Sequence, residues 1–462
     1  MSMEKQEIVN IIKKQRSFFN SHETKNLLFR KKQLFKLEKA LSKYEDEIIE
    51  ALQKDLNRPS VEAYAADIYS VKKEARNALL KACYWSIPKG VASPLLFTPA
   101  LAFVKPDPYG CTLIIGPWNY PFDLTLSPLV GAIAAGNTAI IKPSEQAPNC
   151  SAVIAKLINE TFEEEYIAVV EGAVEETAIL LKEKFDYIFF TGGKEVGKIV
   201  AKSAANHLTP VTLELGGKSP CVVDKYANIK IAAKRIAWGN AFNAGQTCIS
   251  PDYLFVHSDV KEEFIEEIEN AYEQFYQNEV SDSKNYGRII NKKHYDRITG
   301  LMEKGKVLVG GKTDADSLFI EPTIIGNVSK DDPIMQEEIF GPVMPLIEYT
   351  DFDDVINFIN SRPKPLALYL FSHSLLRQHK IIAKTSSGGV SINDVMAHYR
   401  NKKLPFGGVG ASGMGAYHFK GSFDTFSHYK SVQKRSNLDF GLEYPPYNMG
   451  LGTVKKLLQL FS

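Results

Sequence analysis

The sequence predicts an α/β protein with a doubly wound parallel sheet and a second α/β domain. From about residue 109, short apolar runs alternate with segments of helical spacing, and a second alternation starts near residue 218. This order is typical of parallel strands that are covered by helices on both faces. The length of 462 residues also exceeds one ordinary core, which favours two domains.

The elements follow in order along the chain. Residues 4–86 place apolar side chains on repeating helical turns and therefore predict helices. The first alternation supplies candidate strands at 109–116, 137–144, 166–172, 186–193 and 209–217. The second supplies candidate strand segments at 219–224, 252–258, 306–328, 343–349 and 388–392. Because parallel sheets bind ligands at the carboxyl ends of their strands, we expect a cleft site near the domain boundary at 217.

The composition argues against several classes of function. Lys and Arg total 55 against 54 Asp and Glu, so the net charge of +1 offers no electrostatic case for nucleic acid. The five cysteines are widely spaced, so we expect neither a disulfide framework nor a metal site. The polar start predicts no signal peptide, and no apolar run reaches the ~18 residues of a membrane span. We therefore expect a reducing, cytoplasmic location.

Cys248 is the main candidate for a nucleophile. Helical spacing over 229–242 ends at Asn243 and Gly245, which places the thiol on a turn rich in amide and hydroxyl groups. A lone cysteine is more often a small buried hydrophobe. We expect that inert state for the other cysteines: Cys83, Cys111, Cys150 and Cys221.

Glu214 is the candidate base. It stands in an apolar run that ends at Gly216 and Gly217. A desolvated carboxylate has a raised pKa and suits proton abstraction near neutrality, whereas the alternative is a salt-bridged strand residue. A thiol and a semi-buried base together predict covalent catalysis.

Seven segments resemble the NAD(P)-dependent aldehyde dehydrogenases, in that family's order. They are LELGGKSP (213–220), NAGQTCISPDY (243–253), GPWNYPF (116–122), IKPSE (141–145), FTGG (190–193), EEIFGP (337–342) and LPFGGVGASGMGAYH (404–418). The GPWNYPF wording and a YPPY near the C-terminus are most similar to the class 3 branch, which takes fatty and aromatic aldehydes.

The resemblance implies a domain plan. A Rossmann-like NAD(P)-binding domain would cover 1–216, and a catalytic domain 217–403. Residues 404–462 would form a return segment, part of a bridging arm and a C-terminal tail. The segments 90–107 and 421–435 would build that arm, through which two subunits pair as a homodimer.

The resemblance also implies catalytic roles. Cys248 would attack the aldehyde carbonyl, and Glu214 would activate the water that hydrolyses the resulting thioester. Asn119, a turn asparagine on the bland interpretation, would donate its side-chain amide to the oxyanion, which is worth roughly 3 kcal/mol of barrier. Tyr120, Trp118 and Tyr64 are candidates for the aldehyde site by position.

The expected cofactor is NAD, with NADP possible. By resemblance, Lys142 and Glu145 would hold the adenosine ribose, and Glu338 with Phe340 the nicotinamide riboside; solvated surface charge is the alternative for Lys142 and Glu338. The remaining cofactor candidates are Trp118, Gly192, Gly193 and Gly197. Gly193 departs from the serine or asparagine commoner in the family. The G-x-G-x-x-G at 408–413 neither follows a strand nor opens a helix, so it is not a dinucleotide fingerprint.

Two other functions remain open from the sequence. An acylating dehydrogenase would pass the thioester to coenzyme A or phosphate, but such relatives typically lack the glutamate that Glu214 matches. A non-enzymatic structural protein could retain the fold, although Cys248, Glu214 and Asn119 are all present and argue against it.

Overall fold

The computed structural model describes residues 3–94, 97–277, 279–438, 444–447 and 449–461. The helices are α1 (Lys5–Asn20), α2 (Leu27–Lys43), α3 (Glu45–Leu56), α4 (Ser60–Ala63), α5 (Tyr69–Trp85), α6 (Asp123–Ala135), α7 (Pro148–Thr161), α8 (Val174–Lys182), α9 (Lys194–Ala205), α10 (Ile229–Ala241), α11 (Lys261–Tyr276), α12 (Lys292–Met302), α13 (Phe352–Asn360), α14 (Leu375–Lys384), α15 (Ala397–Arg400), α16 (Lys420–Thr425) and α17 (Leu451–Phe461).

The strands are β1 (Lys89–Val91), β2 (Ala100–Pro108), β3 (Cys111–Ile115), β4 (Thr138–Lys142), β5 (Ile167–Val169), β6 (Tyr187–Gly192), β7 (Val211–Leu215), β8 (Pro220–Val223), β9 (Tyr253–His257), β10 (Lys306–Val309), β11 (Thr313–Asp314), β12 (Phe319–Ile320), β13 (Thr323–Gly326), β14 (Val343–Tyr349), β15 (Ala367–Phe371), β16 (Gly389–Ile392), β17 (Gly413–Met414) and β18 (Ser427–Arg435).

The first alternation folds into one sheet with strand order β17-β7-β6-β3-β4-β5. Its last five members are parallel, and only β17 pairs antiparallel, through Gly413 opposite Glu214. Every residue of β3 and β4 is buried, as expected for strands covered on both faces. The predicted doubly wound sheet is therefore confirmed.

The most apolar run of the chain forms α6, and all of its 13 residues are buried. A helix that is apolar all round belongs in a protein core, and α6 packs against α2, α5 and α16. In the part of the chain that the structure describes, no helix is both long and apolar enough to cross a membrane.

The second alternation forms a seven-stranded sheet in the order β10-β13-β14-β9-β8-β15-β16. Only β10 runs antiparallel to its neighbour. The sequence interpretation did not include the strand β15, which lies between β8 and the edge strand β16. Its five residues ALYLF are all buried but lack the alternation that marks a half-buried strand.

The segments expected in the bridging arm form a separate three-stranded sheet, β1-β2-β18. Nine consecutive residue pairs join β2 to β18. The strand expected over 421–435 begins late, because Lys420–Thr425 forms the short helix α16. There Phe423 turns inward, with its ring 5.7 Å from that of Trp85.

Candidate active site

The carboxyl ends of β6 and β7 in the first large sheet, and the loops that precede β9 and β14 in the second, face a cavity of about 940 Å³. Of the residues that the sequence singled out, those lining it are Trp118, Asn119, Tyr120, Gly192, Gly193, Glu214, Cys248, Glu338 and Phe340. The thiol and the two carboxylates therefore share one enclosed space. Strand ends and inter-element turns supply this part of the wall, as is usual for parallel sheets.

The turn that carries Cys248 begins where α10 ends. Asn243, Ala244 and Gly245 have φ values of 53°, 51° and 70°, so three successive left-handed residues redirect the chain. A Cβ on Gly245 would stand 2.2 Å from the carbonyl oxygen of Gly341, so only glycine fits there. The backbone N–H of Asn243 donates to the Glu62 carboxylate at 3.0 Å.

Gln246 fastens this turn to the segment that contains Arg288 and Ile290. Its side-chain nitrogen donates to the carbonyl oxygens of Asn243 at 3.0 Å and Arg288 at 2.9 Å. Its side-chain oxygen accepts from the N–H of Ile290 at 2.9 Å. Because the Gln246 amide is buried and makes all three of these hydrogen bonds, it holds the turn rigidly two residues before Cys248.

Asn119 reaches the same turn from the side of the first large sheet. It lies on the loop between β3 and α6, and its side-chain nitrogen donates to the Gln246 carbonyl at 3.0 Å. An amide nitrogen carries two hydrogens, so a second N–H is left for a ligand beside Cys248. Next to it, the hydroxyls of Tyr120 and Thr247 lie 2.6 Å apart.

A buried ion pair supports both loops from below. The Arg58 guanidinium pairs with Asp67, and both side chains are fully shielded from water. Arg58 also donates to the Asn119 carbonyl and, at 3.1 Å, to the Asn243 side-chain oxygen. It lies 4.6 Å from the centre of the Tyr120 ring. One arginine thus links the loop of Asn119 to the turn of Cys248.

Glu214 lies on β7 beside Thr191 of β6 and is buried. Neither of its carboxylate oxygens has a hydrogen-bond partner among the described residues. Burial alone raises the pKa of Glu214 well above its usual value. An unpartnered buried carboxyl group in a cavity is poised to exchange a proton with a ligand or water there.

Burial also raises the pKa of the Cys248 thiol, and the charges of Glu338 and Glu214 raise it further. The pKa of Glu338 itself is raised to about 8, first by burial and then by Asp252. The site therefore holds its thiol protonated at neutral pH. Loss of either carboxylate charge would ease ionisation of the thiol.

The helix α9 begins at the cavity and offers an anion site. Gly192 and Gly193 precede its first turn, and no atom lies within 4 Å of where a Cβ on Gly193 would stand. This open space would let a pyrophosphate come close to the backbone, where the N–H groups and the dipole of the helix would stabilise it. It also explains why a serine or asparagine side chain could replace Gly193.

Three cofactor candidates lie outside the cavity lining. Lys142 ends β4, is buried, and has its ammonium 3.4 Å from the Glu145 carboxylate. Glu145 is half-exposed, so its oxygens remain available to ribose hydroxyls. Gly197 faces the sheet instead, because a Cβ there would meet the Leu215 side chain at 2.6 Å. It permits helix–sheet packing and does not offer open backbone.

The nicotinamide-side candidates contact each other. The rings of Trp118 and Phe340 meet edge to face at 5.3 Å. Glu338 lies over the backbone of Gly216, where a Cβ would come within 1.9 Å of its carboxylate. These residues form a cradle of polar oxygen, glycine backbone and aromatic edge that fits a riboside. The donor set thus accommodates a dinucleotide cofactor along one side of the cavity.

The other side of the cavity contains residues that the sequence interpretation missed. Tyr64 is not among the lining residues; its ring stacks on Tyr69, which does line the cavity. Further lining residues there are Lys73, Trp238, Phe242, Met396, Tyr399, Arg400, Lys402 and Phe406. Their local sequence patterns did not indicate that these residues line a cavity, because the residues come from three distant segments of the chain.

Comparisons with known proteins agree with the resemblance found in the sequence. A family model described as "Aldehyde dehydrogenase family" matches residues 1–432. The chain is 51% identical over 435 residues to the 4,4'-diaponeurosporen-aldehyde dehydrogenase of Staphylococcus aureus (strain NCTC 8325 / PS 47), covering 94% of this chain and 95% of that one. It is 44% identical over 442 residues to "Aldehyde dehydrogenase, dimeric NADP-preferring" of Canis lupus familiaris, covering 95% and 98%.

Among solved structures, "Substrate bound state of Staphylococcus Aureus AldH" superposes with a TM-score of 0.96 at 48% identity, covering 99% of this chain and all of that one. Family 3 relatives among the matches agree with the resemblance to the class 3 branch. Together with the cavity that joins Cys248 to Glu214, these matches show that the chain belongs to the aldehyde dehydrogenase family.

Proposed function

We propose that this enzyme oxidises an aldehyde to its carboxylic acid through a thioester on Cys248, with Glu214 as the base for hydrolysis. The observation that carries the proposal is the shared cavity, in which a turn-borne thiol faces a buried carboxyl group without hydrogen-bond partners in the described chain. That pair supplies both halves of a covalent reaction.

The first step forms a bond between the Cys248 sulfur and the aldehyde carbon. The thiol proton must leave, and Glu214 is the proposed acceptor, because its raised pKa brings it nearer to that of the thiol. The carbonyl oxygen becomes an oxyanion. The free N–H of Asn119 and the backbone N–H of Cys248 would stabilise it.

Bound NAD(P)+ would supply the hydride acceptor. Gly192 and Gly193 at the start of α9 would hold its pyrophosphate, and Glu338 with Phe340 its nicotinamide riboside. Lys142 and Glu145 would hold the adenosine ribose. A carboxylate at Glu145 repels a 2'-phosphate, which favours NAD, while the dog relative's name states an NADP preference.

The last step is hydrolysis of the Cys248 thioester. Once Glu214 has released the thiol proton to solvent, it would take a proton from water as the oxygen attacks the thioester carbon. It would return that proton to the departing sulfur, so that the acid leaves and the thiol is restored. This carboxyl group favours hydrolysis over transfer to coenzyme A or phosphate. Acid formed in the absence of either acceptor would support that choice.

The aldehyde would enter from the side lined by Trp238, Phe242 and Phe406. Aromatic walls suit a medium or long aliphatic chain or an aromatic ring. The Staphylococcus aureus relative, named for 4,4'-diaponeurosporen-aldehyde, is consistent with a large apolar substrate.

A homodimer is part of the proposal. The strand β18 is an edge strand whose residues are mostly exposed, and an unpaired edge invites pairing with a second chain. The dog relative is named dimeric. Light scattering on the purified protein should give a mass near 103 kDa, about twice the 51.6 kDa of the chain; a 51.6 kDa particle would contradict it.

The direct test measures reduced cofactor and acid product with an aldehyde panel, using NAD and NADP in turn. Cys248→Ala should lose turnover by at least a thousandfold. Cys83→Ala, which changes a half-buried cysteine of α5, is the matched control and should retain it. Full activity in Cys248→Ala would move the reaction to another residue.

A further inference from the structure

Two positively charged side chains line the aldehyde side of the cavity, and the proposed oxidation gives neither of them a role. Lys73 of α5 is half-buried, and Arg400 ends α15; both line the same cavity as Cys248. Neither cation forms an ion pair with a carboxylate in the described part of the chain. The Arg400 guanidinium lies 5.4 Å from the Trp238 ring centre, which holds it at the wall while its outer N–H groups stay available.

Asp123, which lines the same cavity, is already engaged. Asp123 accepts hydrogen bonds from Ser127 at 2.6 Å and from Tyr399, and the buried Lys402 ammonium lies 3.8 Å from it. Lys402 thereby balances the charge of Asp123. The imidazole of His418, 3.0 Å from Lys402, adds no charge, because burial and Lys402 lower its pKa well below the usual value.

Glu74 is the other acid in this region. It is buried away from the cavity lining and accepts the N–H of Phe419 at 2.9 Å. Burial raises its pKa to about 7, so it is only partly ionised near neutrality. Glu74 feels the charge of Lys73 but forms no ion pair with it, so Lys73 and Arg400 both stay without a paired carboxylate among the described residues.

The geometry points to a subsite for an anion, built by Lys73 and Arg400 on the wall of the cavity that also holds Cys248. The substrate class that fits is an aldehyde with an apolar body and a carboxylate or similar anion at its far end. Trp238 and Phe242, whose ring centres are 5.2 Å apart, would cover the body. This inference rests on the proposed aldehyde oxidation and adds to it the charge of the substrate.

The test compares two substrates of equal length, octanal and suberic semialdehyde, which differ by a terminal carboxylate. The measured quantity is the ratio of kcat/KM for the anionic aldehyde to that for the neutral one. Wild type should prefer the anionic aldehyde, and added salt should reduce the ratio because mobile ions screen the attraction. Lys73→Gln and Arg400→Gln should each lower the ratio about twofold to fivefold, and together on the order of tenfold.

Lys39→Gln is the matched control, since it removes an exposed helical lysine of α2 that does not line the cavity. A wild-type ratio at or below one, or a ratio unchanged in the double variant, overturns the anion subsite while octanal turnover upholds the aldehyde dehydrogenase activity. If wild type oxidises neither aldehyde, nor any other in a panel, the proposed function fails and the subsite with it.

Discussion

Replacing Arg58 with methionine tests the support beneath the active site. The change keeps most of the side-chain volume but removes the cation from a pair in which both side chains are fully shielded from water. Asp67 would keep only the N–H groups of Phe122 and Asp123, at 3.0 and 3.1 Å. Burial already raises the pKa of Asp67 to about 6 despite the Arg58 charge.

The expected cost follows from that burial. Removing one partner of a buried pair destabilises a protein by about 3–5 kcal/mol. For domains of this size that loss lowers Tm by on the order of 10 °C. Since Arg58 also donates to Asn119 and Asn243, we expect kcat to fall by more than KM rises.

Thermal unfolding followed by circular dichroism, with steady-state kinetics at a temperature where the variant is folded, measures both effects. Arg76→Met is the control: Arg76 pairs with Glu38 at 2.8 Å but is 60% exposed, so its loss should cost less than about 1 kcal/mol. Adding Asp67→Asn to Arg58→Met should recover part of the lost stability, because the orphaned charge is gone. A Tm for Arg58→Met within about 2 °C of wild type, or no recovery in the double variant, refutes the reasoning.

Three further predictions concern the cavity itself. Asn119→Ala should lower kcat by about a hundredfold to a thousandfold. Asn149→Ala, at the exposed start of α7, is the control. A loss of kcat under about tenfold in Asn119→Ala would show that Asn119 does not stabilise the oxyanion. Glu338→Gln should speed cofactor-free alkylation of Cys248 by iodoacetamide at a fixed pH above 8, since the charge of Glu338 raises the thiol pKa. An unchanged or slower rate would contradict this. Gly216→Ala should displace the Glu338 carboxylate, which would lie 1.9 Å from the new Cβ, and should raise the dissociation constant for NAD measured by titration. Gly300→Ala, with open space around the new Cβ, is the control and should not change it. Equal NAD affinities in the two variants would rule out a role for the Glu338 cradle.

Local patterns predicted much of this fold. The fully buried strands β3 and β4 are short apolar runs between helical segments, and each ends where the sequence placed a motif. Cys248 and Glu214 were also recognisable, because a thiol on a polar turn and a carboxylate in an apolar strand are each unusual locally. The two-residue strand β17, within a glycine-rich segment, carries no such pattern and depends on its pairing with β7.

Local sequence patterns could not predict the Arg58 ion pair beneath the active site or the residues on the aldehyde side of the cavity. Arg58 bonds to residues 61 and 185 positions away, and in sequence it is one more charge beside a proline. Likewise Lys73 and Arg400 belong to distant helices, where a cation normally faces solvent. Only the packing of α5 and α15 around one cavity gives those charges a common role.

The measurement closest to the central claim is a single-turnover experiment with Glu214→Gln. After rapid mixing with aldehyde and NAD, the thioester mechanism predicts a burst of reduced cofactor equal to about one per active site, followed by almost no turnover. The burst should be slower than the first turnover of wild type, because the Cys248 thiol has lost its proposed proton acceptor. Cys248→Ala should give no burst, and wild type should continue to turn over. Sustained wild-type turnover in Glu214→Gln, or a burst in Cys248→Ala, would contradict the division of roles between the thiol and the carboxylate.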